Sequence, residues 1–406
     1  MWDYRYKTHH DVEKLLSKLI KNHICTKNAF LERLKETNPS GQLSLYVHTP
    51  YCDYICSFCN LNRKQGNQEV DNYAKRLCKE IKNYGNFRFC KSSEIDVIFF
   101  GGGTPTIYSE TQLENILKTI HDSFSLAENC EFTFETTLHN LSQEKIFLLT
   151  KYGVNRLSIG IQTFSTRGRK LLNRRFSKEI VLKRLQEIRH SFHGTLCIDI
   201  IYNYPEQTIE ELLEDVRHIS DCHIDSVSFY SLIIEEKSKL SRLFQKNPFS
   251  FQYNLQKDKE LHRIFCEQMR KQGYHLLELT KFVKKDKYRY IQNNYQAKHL
   301  LPIGTGSGGR IGNIGCYHMN SKLSFYMQYS SAYMKAYQLL GLFQFPDISE
   351  ENLKSFSGKN YEKIRNKMNK FVEKGYFSLQ NHLFIYTIEG IFWGNNIAAE
   401  ILKLSQ

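Results

Sequence analysis

The chain has 406 residues, of which 41% are hydrophobic, 24% charged and 13% aromatic, which excludes a disordered or collagen-like polymer. A net charge of +14 suits anionic partners, but the basic residues are spread along the chain apart from short runs such as Lys281 to Arg289, so charge selects no partner class. No run of about 18 apolar residues spans a membrane, and the polar Met1–His10 segment lacks the apolar stretch of a secretory signal; a cytoplasmic location is the expectation.

Residues 9–37 read as a weakly amphipathic helix carrying Val12, Leu15, Leu16, Leu19 and Ile20. Leu43 to His48 reads as a strand. Helices and strands then alternate: helix Val70 to Tyr84, strand Ile95 to Phe100, helix Glu110 to Phe124, strand Glu131 to Glu135, helix Ser142 to Tyr152, strand Arg156 to Ile161, helix Ser177 to Ser191, strand Leu196 to Tyr202, helix Thr208 to Asp221 and strand Ser226 to Tyr230. Alternation of this kind implies a parallel sheet with right-handed crossovers. Six such strands are fewer than the eight of a closed barrel, so an α/β fold with an open, partial (β/α)6 barrel is expected. Residues 250–300 read as helix and then a polar Lys, Tyr and Asn-rich stretch, Gly304 to Gly315 as a glycine-rich loop, and 350–406 as a small winged-helix-like α+β module. The expected divisions are a lead-in at 1–40, the barrel at 41–240, an extension with the substrate pocket at 241–345 and the C-terminal module at 346–406.

The unusual residues fall at the C-terminal ends of the strands. Cys52, Cys56 and Cys59 form a CxxxCxxC run, while the remaining cysteines of the eleven are scattered. Three clustered thiolates can hold an iron–sulfur cluster and leave one iron without a protein ligand. They can also bind zinc, with His48 completing a Cys3His set. Gly101-Gly-Gly-Thr104-Pro-Thr106 follows a buried strand and exposes backbone to a ligand or makes a tight turn; it lacks the ending of a phosphate loop.

Together these runs resemble the radical S-adenosylmethionine enzymes. The resemblance rests on Tyr46-Val-His-Thr-Pro-Tyr-Cys52, the cysteine run, GGGTPT, Phe134-Glu135, Ser158-Ile-Gly-Ile-Gln162-Thr-Phe164 and Asp199-Ile-Ile-Tyr202. Within them the chain is similar to the group of oxygen-independent coproporphyrinogen III oxidases and haem chaperones. Gly304-Thr-Gly-Ser-Gly-Gly309, Met319-Asn320 and the ending Phe392-Trp393-Gly-Asn395-Asn396 look like the haem-utilisation branch, the anaerobilin synthases. Leu61 stands where the oxidases carry a further cysteine.

The resemblance implies a [4Fe-4S] cluster on Cys52, Cys56 and Cys59 and one or two S-adenosylmethionine molecules. Tyr46 and Phe58 would flank the cofactor, Gly102, Gly103 and Thr104 would line its amino-acid end, and Glu135, Gln162, Arg174 and Asp199 would contact it. It also implies a methyltransferase that opens haem to a linear tetrapyrrole with release of iron. The alternatives are a haem chaperone or a coproporphyrinogen III dehydrogenase. Haem as substrate and an acidic flavodoxin as reductant are the expected partners; nucleic acid is not. His299 and His318 are candidate haem-iron ligands, and Tyr288 to Tyr295 a candidate pocket wall, although packing is the commoner role for each.

Overall fold

The computed structural model describes residues 2–59, 63–66, 69–236, 238–246 and 251–405; Leu61 lies outside them. Six strands follow the predicted order: β1 Gln42–Thr49, β2 Glu94–Gly102, β3 Ser125–Thr136, β4 Arg156–Gln162, β5 Thr195–Tyr202 and β6 Ser226–Ser231. They pair in parallel, each with the next. The intervening helices put apolar faces on the sheet: Leu77 and Ile81 of α3 (Glu69–Gly85) and Ile116, Leu117 and Ile120 of α4 (Glu110–Ser123) share one core with Leu45, Val47, Ile98 and Phe100. Side chains alternate along a strand, so Ser44, Tyr46 and His48 lie on the opposite, inner face, where the Ser44 hydroxyl bonds Asp96 at 3.3 Å.

The sheet does not stop at six strands. The region from 275 to 328 adds β7 His275–Glu278, β8 Lys281–Val283, β9 Leu300–Ile303, β10 Gly308–Ile311, β11 Ile314–His318 and β12 Ser324–Gln328. One thirteen-stranded sheet results, beginning at the short pair His23–Ile24 and running β12-β11-β10-β9-β1-β2-β3-β4-β5-β6-β8-β7. β9 joins β1 in parallel and β8 joins β6 antiparallel. Its two ends do not pair, so the barrel is open.

Two expectations change. The helix over 9–37 is two helices, α1 His9–Leu19 and α2 Lys27–Lys35, because His23–Ile24 peels off to pair with β12. Gly304 to Gly315 is not a simple loop: β10 and β11 form a hairpin within it. Ile311 faces Ile314 across the two-residue connection Gly312-Asn313, and Gly312 takes φ +60°, the conformation a tight hairpin needs at its first turn residue. The C-terminal module has three strands, Asp347–Ser349 pairing with Leu383–Tyr386, which pairs with Phe377–Gln380. Its last helix, α5 Ile388–Leu404, is buried along most of its length.

The first residues form a strap over α5. Asn396 donates to the Tyr4 carbonyl and accepts from the Tyr6 amide, both at 2.9 Å. Arg5 bonds the Phe392 carbonyl, the Tyr202 hydroxyl and Asp258, and Trp2 stacks near Trp393. No helix among the described residues is long and apolar enough to cross a membrane.

Candidate active site

The C-terminal ends of β1 to β5 surround a cavity of about 190 Å³. Cys52, Cys56, Phe58 and Cys59 form one wall, Gly102, Gly103 and Thr104 another, and Glu135, Gln162, Arg174 and Asp199 the rest. Eleven of the twelve sequence-predicted positions therefore meet in one place. Tyr46 does not line it. Its hydroxyl bonds His48 Nδ1 at 2.8 Å and its ring lies against Phe99 and Tyr290, deeper in the barrel. Sequence reading had not singled out Tyr54, Arg63, Thr136, Thr137, Ser158 and Gly160 as cavity residues. Ser158 and Gly160 were legible by alternation, being four and two residues before Gln162 on the same strand.

The cysteine loop follows β1 and is held from outside. Ser57 donates its amide to the Leu172 carbonyl at 3.2 Å and its hydroxyl to the Leu171 carbonyl at 2.7 Å. Asn173 reaches the Ile55 carbonyl at 2.7 Å. The sulfurs meet donors: Arg174 Nη1 lies 3.0 Å from Cys56 Sγ, and the Thr104 hydroxyl 3.5 Å from Cys52 Sγ. Burial pushes the Cys52 thiol up to about 11, so it needs a bound cation to ionise at neutral pH.

Zinc fits this geometry poorly. Four-coordinate zinc with Zn–S bonds of ~2.3 Å holds its sulfurs ~3.8 Å apart. Among the described residues, Cys52, Cys56, Cys59 and His48 supply no three donor atoms within 4.8 Å of one another. A polynuclear cluster spaces its cysteines more widely. His48 is instead engaged by Tyr46 and packs against Gly102 and Gly306.

Gly103 shows how closely the backbone approaches the sulfurs. A Cβ there would lie 2.4 Å from the Tyr51 carbonyl oxygen and 3.0 Å from Cys52 Sγ. Gly103→Ala is expected to displace the cysteine loop and lower iron content per chain after anaerobic reconstitution, with the melting temperature little changed. Full iron loading in that variant would refute the close-approach argument.

The opposite wall holds polar atoms aimed inward. Gln162 Oε1 and Arg174 Nε are buried and have no hydrogen-bond partner among the described residues, as a ligand-binding surface requires. Gln162 also takes φ +70°, uncommon for a residue other than glycine, at a sheet irregularity beside Gly160. Arg174 Nη2 additionally donates to the Gly160 carbonyl. Because Arg174 sits between the cysteine loop and this wall, Arg174→Ala is expected to lower activity or cluster retention about 10–100-fold, the range for loss of a ligand-orienting partner. Iron analysis and turnover separate the two effects.

Glu135 accepts from the Gly102 amide at 3.0 Å. Burial, then the Asp199 charge, raises its carboxyl to about 8. Its proton affinity is therefore higher folded than unfolded, and folding stability falls as pH rises from about 4.5 to about 8. Glu135→Gln is expected to flatten that slope in melting curves recorded between pH 5 and 8; an unchanged slope would assign it elsewhere.

The haem-ligand candidates lie apart from this cavity. His299 Nδ1 accepts from the Gly312 amide at 3.0 Å and its ring meets Phe89 edge-on, a packing role. His318 pairs with Ser324 at 2.9 Å and borders a separate groove of about 800 Å³, together with Lys27, Tyr84, Lys322 and Tyr326. Tyr288 and Tyr290 sit inside the barrel, Tyr290 stacked on Phe99 at 4.3 Å.

The radical SAM superfamily profile matches residues 46–219. The haem chaperone HemW of Bacillus subtilis is 30% identical over 274 residues, 66% of this chain and 71% of that protein. HemW of Lactococcus lactis is 27% identical over 88% of this chain and 97% of its own. The anaerobilin synthase of Escherichia coli O157:H7 is 25% identical over 69% of this chain and 63% of its own. The fold superimposes on the coproporphyrinogen III oxidase HemN of Escherichia coli with a TM-score of 0.79, at 18% identity, covering 94% of each chain. The chain belongs to the radical SAM superfamily, in the group around the haem chaperone HemW, and its cofactors are a [4Fe-4S] cluster and S-adenosylmethionine.

Proposed function

We propose that this protein handles haem as a chaperone, binding it and passing it on intact, on a radical SAM scaffold. The observation that carries the reading is the match to the Lactococcus lactis haem chaperone along 88% of this chain and 97% of the relative. The two voids support it. The cavity beside the cysteines, at about 190 Å³, is smaller than the ~300–1,000 Å³ of pockets for drug-sized ligands, whereas the groove by His318 reaches about 800 Å³. The macrocycle would then sit outside the cluster cavity.

Cys52, Cys56 and Cys59 would hold three irons and leave the fourth for the amino and carboxylate groups of S-adenosylmethionine. With both groups bound, the site would supply one-electron reductive cleavage of a sulfonium C–S bond. The chain's own residues orient and shield. Gly102 and Gly103 offer backbone to the amino-acid end, and Arg174 steadies the Cys56 sulfur. Glu135 accepts the Gly102 amide, and its carboxyl, raised by burial to about 8, would be drawn to its ionised form by an arriving cation.

A second reading, macrocycle opening by a radical methyltransferase, is favoured by Glu135, Gln162, Arg174 and Asp199 all lining the cluster cavity. One experiment separates the two. Haem, S-adenosylmethionine and reductant are given anaerobically to reconstituted protein, and products are followed by mass spectrometry. Bound, unaltered haem that transfers to an apo-haemoprotein supports the chaperone. A linear tetrapyrrole with free iron replaces it by the second reading. Absence of haem binding rejects both, and turnover of coproporphyrinogen III would place the chain with the oxidases.

A further inference from the structure

Outside the cysteine site, the described residues bring one other set of metal-ligating side chains together: His9, His10 and Glu13 at the start of α1. Their donor atoms all lie within 4.8 Å of one another. The two imidazole rings are 4.0 Å apart, and His10 Nδ1 lies 2.9 Å from Glu13 Oε2. His9 is partly buried against the edge of Tyr295, and its ring makes no hydrogen bond to any described residue. His10 keeps 67% of its side chain exposed, so an ion has a path from solvent.

We propose that His9, His10 and Glu13 form a binding site for a divalent transition-metal ion. Two imidazoles and one carboxylate are a borderline donor set, suited to Zn²⁺, Co²⁺ or Fe²⁺ rather than to Mg²⁺ or Ca²⁺, which take oxygen donors. A tetrahedral ion with bonds of ~2.0–2.2 Å draws its donors to ~3.3–3.6 Å of one another, and rotation of the exposed His10 supplies the remaining movement. Three protein ligands leave a fourth position for water or another ligand.

The surroundings pre-position the set. Thr8 caps α1, and the residues before it are tied to α5 by Asn396 and Arg5, so the helix start is fixed in space. The positive end of the helix dipole opposes a cation there, and Glu13 together with Asp11 in the same turn offsets it. The existing His10–Glu13 contact is the bland reading of the cluster, an exposed pair of little energetic weight. It gives the His9 nitrogens, which make no hydrogen bond to a described residue, no role, and the metal site supplies one. The site is independent of whether haem is carried or opened.

The test uses full-length protein with its iron–sulfur cluster already reconstituted, so that the cysteines are occupied, and adds Zn²⁺ after desalting. Wild type is expected to retain one equivalent of zinc beyond its iron and to melt at a higher temperature with zinc than without. His10→Ala, at an exposed position that leaves the fold intact, is expected to lose both effects, and Glu13→Gln to weaken them. Cobalt substitution should give visible absorption bands in wild type that are missing in His9→Ala. Equal zinc retention in wild type and His10→Ala, or no zinc beyond the iron in wild type, overturns the proposal.

Discussion

Cys56→Ala is expected to abolish the brown chromophore of the anaerobically reconstituted protein and reduce deoxyadenosine formation to background, while melting temperature stays within a degree or two of wild type, the scale of a change well below 1 kcal/mol. The two halves of the expectation have separate causes. Cys56 is only partly buried, and Arg174 Nη1 donates to its sulfur. The loop around it is fastened by neighbours, through Ser57, Asn173 and the Leu240 amide on the Ser57 carbonyl. Removing the thiol therefore leaves the scaffold intact. On the proposed assignment the cluster would lose one of three cysteine ligands, and Arg63 and Arg174, which line the cavity, are donors that cannot take its place. Retention of the full iron complement and of deoxyadenosine formation by Cys56→Ala would mean that the trio does not hold the cofactor.

The rim of this site was readable in the sequence because its residues sit in short runs directly after strands. Strand ends converge in a parallel barrel, so Gly102, Glu135, Gln162 and Asp199 meet although some 100 positions separate the first from the last. What lay hidden depends on contacts between distant segments. Arg5 and Asp258 are 253 residues apart in the chain, and no local pattern marks either. The ending Phe392-Trp393-Gly-Asn395-Asn396 was read as pointing to a haem-opening branch; in the fold it is packing. Trp393 bonds Glu389 at 3.0 Å, Asn395 accepts from Gln344 at 3.2 Å and Asn396 clasps the strap. Those residues reach neither the cysteine cavity nor the groove, which is why they carry no weight in choosing between carrying haem and opening it. The hairpin β10–β11 was missed for another reason: its glycines mask the strand pattern, and pairing with β9 and β12 supplies what propensity does not.

Asp286→Asn should cost about 3–5 kcal/mol of unfolding free energy, the range for stranding one member of a buried ion pair. Arg156 projects from β4 into the barrel, and Asp286 comes from the segment after β8. Both side chains are 2% exposed. The guanidinium donates through Nη2 at 2.8 Å and Nε at 3.1 Å, and its face rests on Tyr288 at 4.1 Å. Asp286 also accepts the Tyr288 amide at 2.9 Å. Burial alone would raise the Asp286 carboxyl, but the Arg156 charge and hydrogen bonds outweigh it and bring it to about 2. A depressed carboxyl contributes stability above its unfolded value of 3.8, and that contribution is lost as pH falls toward about 2. Urea titrations at pH 7 should show the loss in Asp286→Asn, and the double replacement Arg156→Met with Asp286→Leu should recover most of it, since the cost comes from the unpaired charge rather than from the absent bond. A single-variant loss below 1 kcal/mol would show that water reaches Arg156, and the barrel floor beneath Glu135 would then be wet rather than sealed.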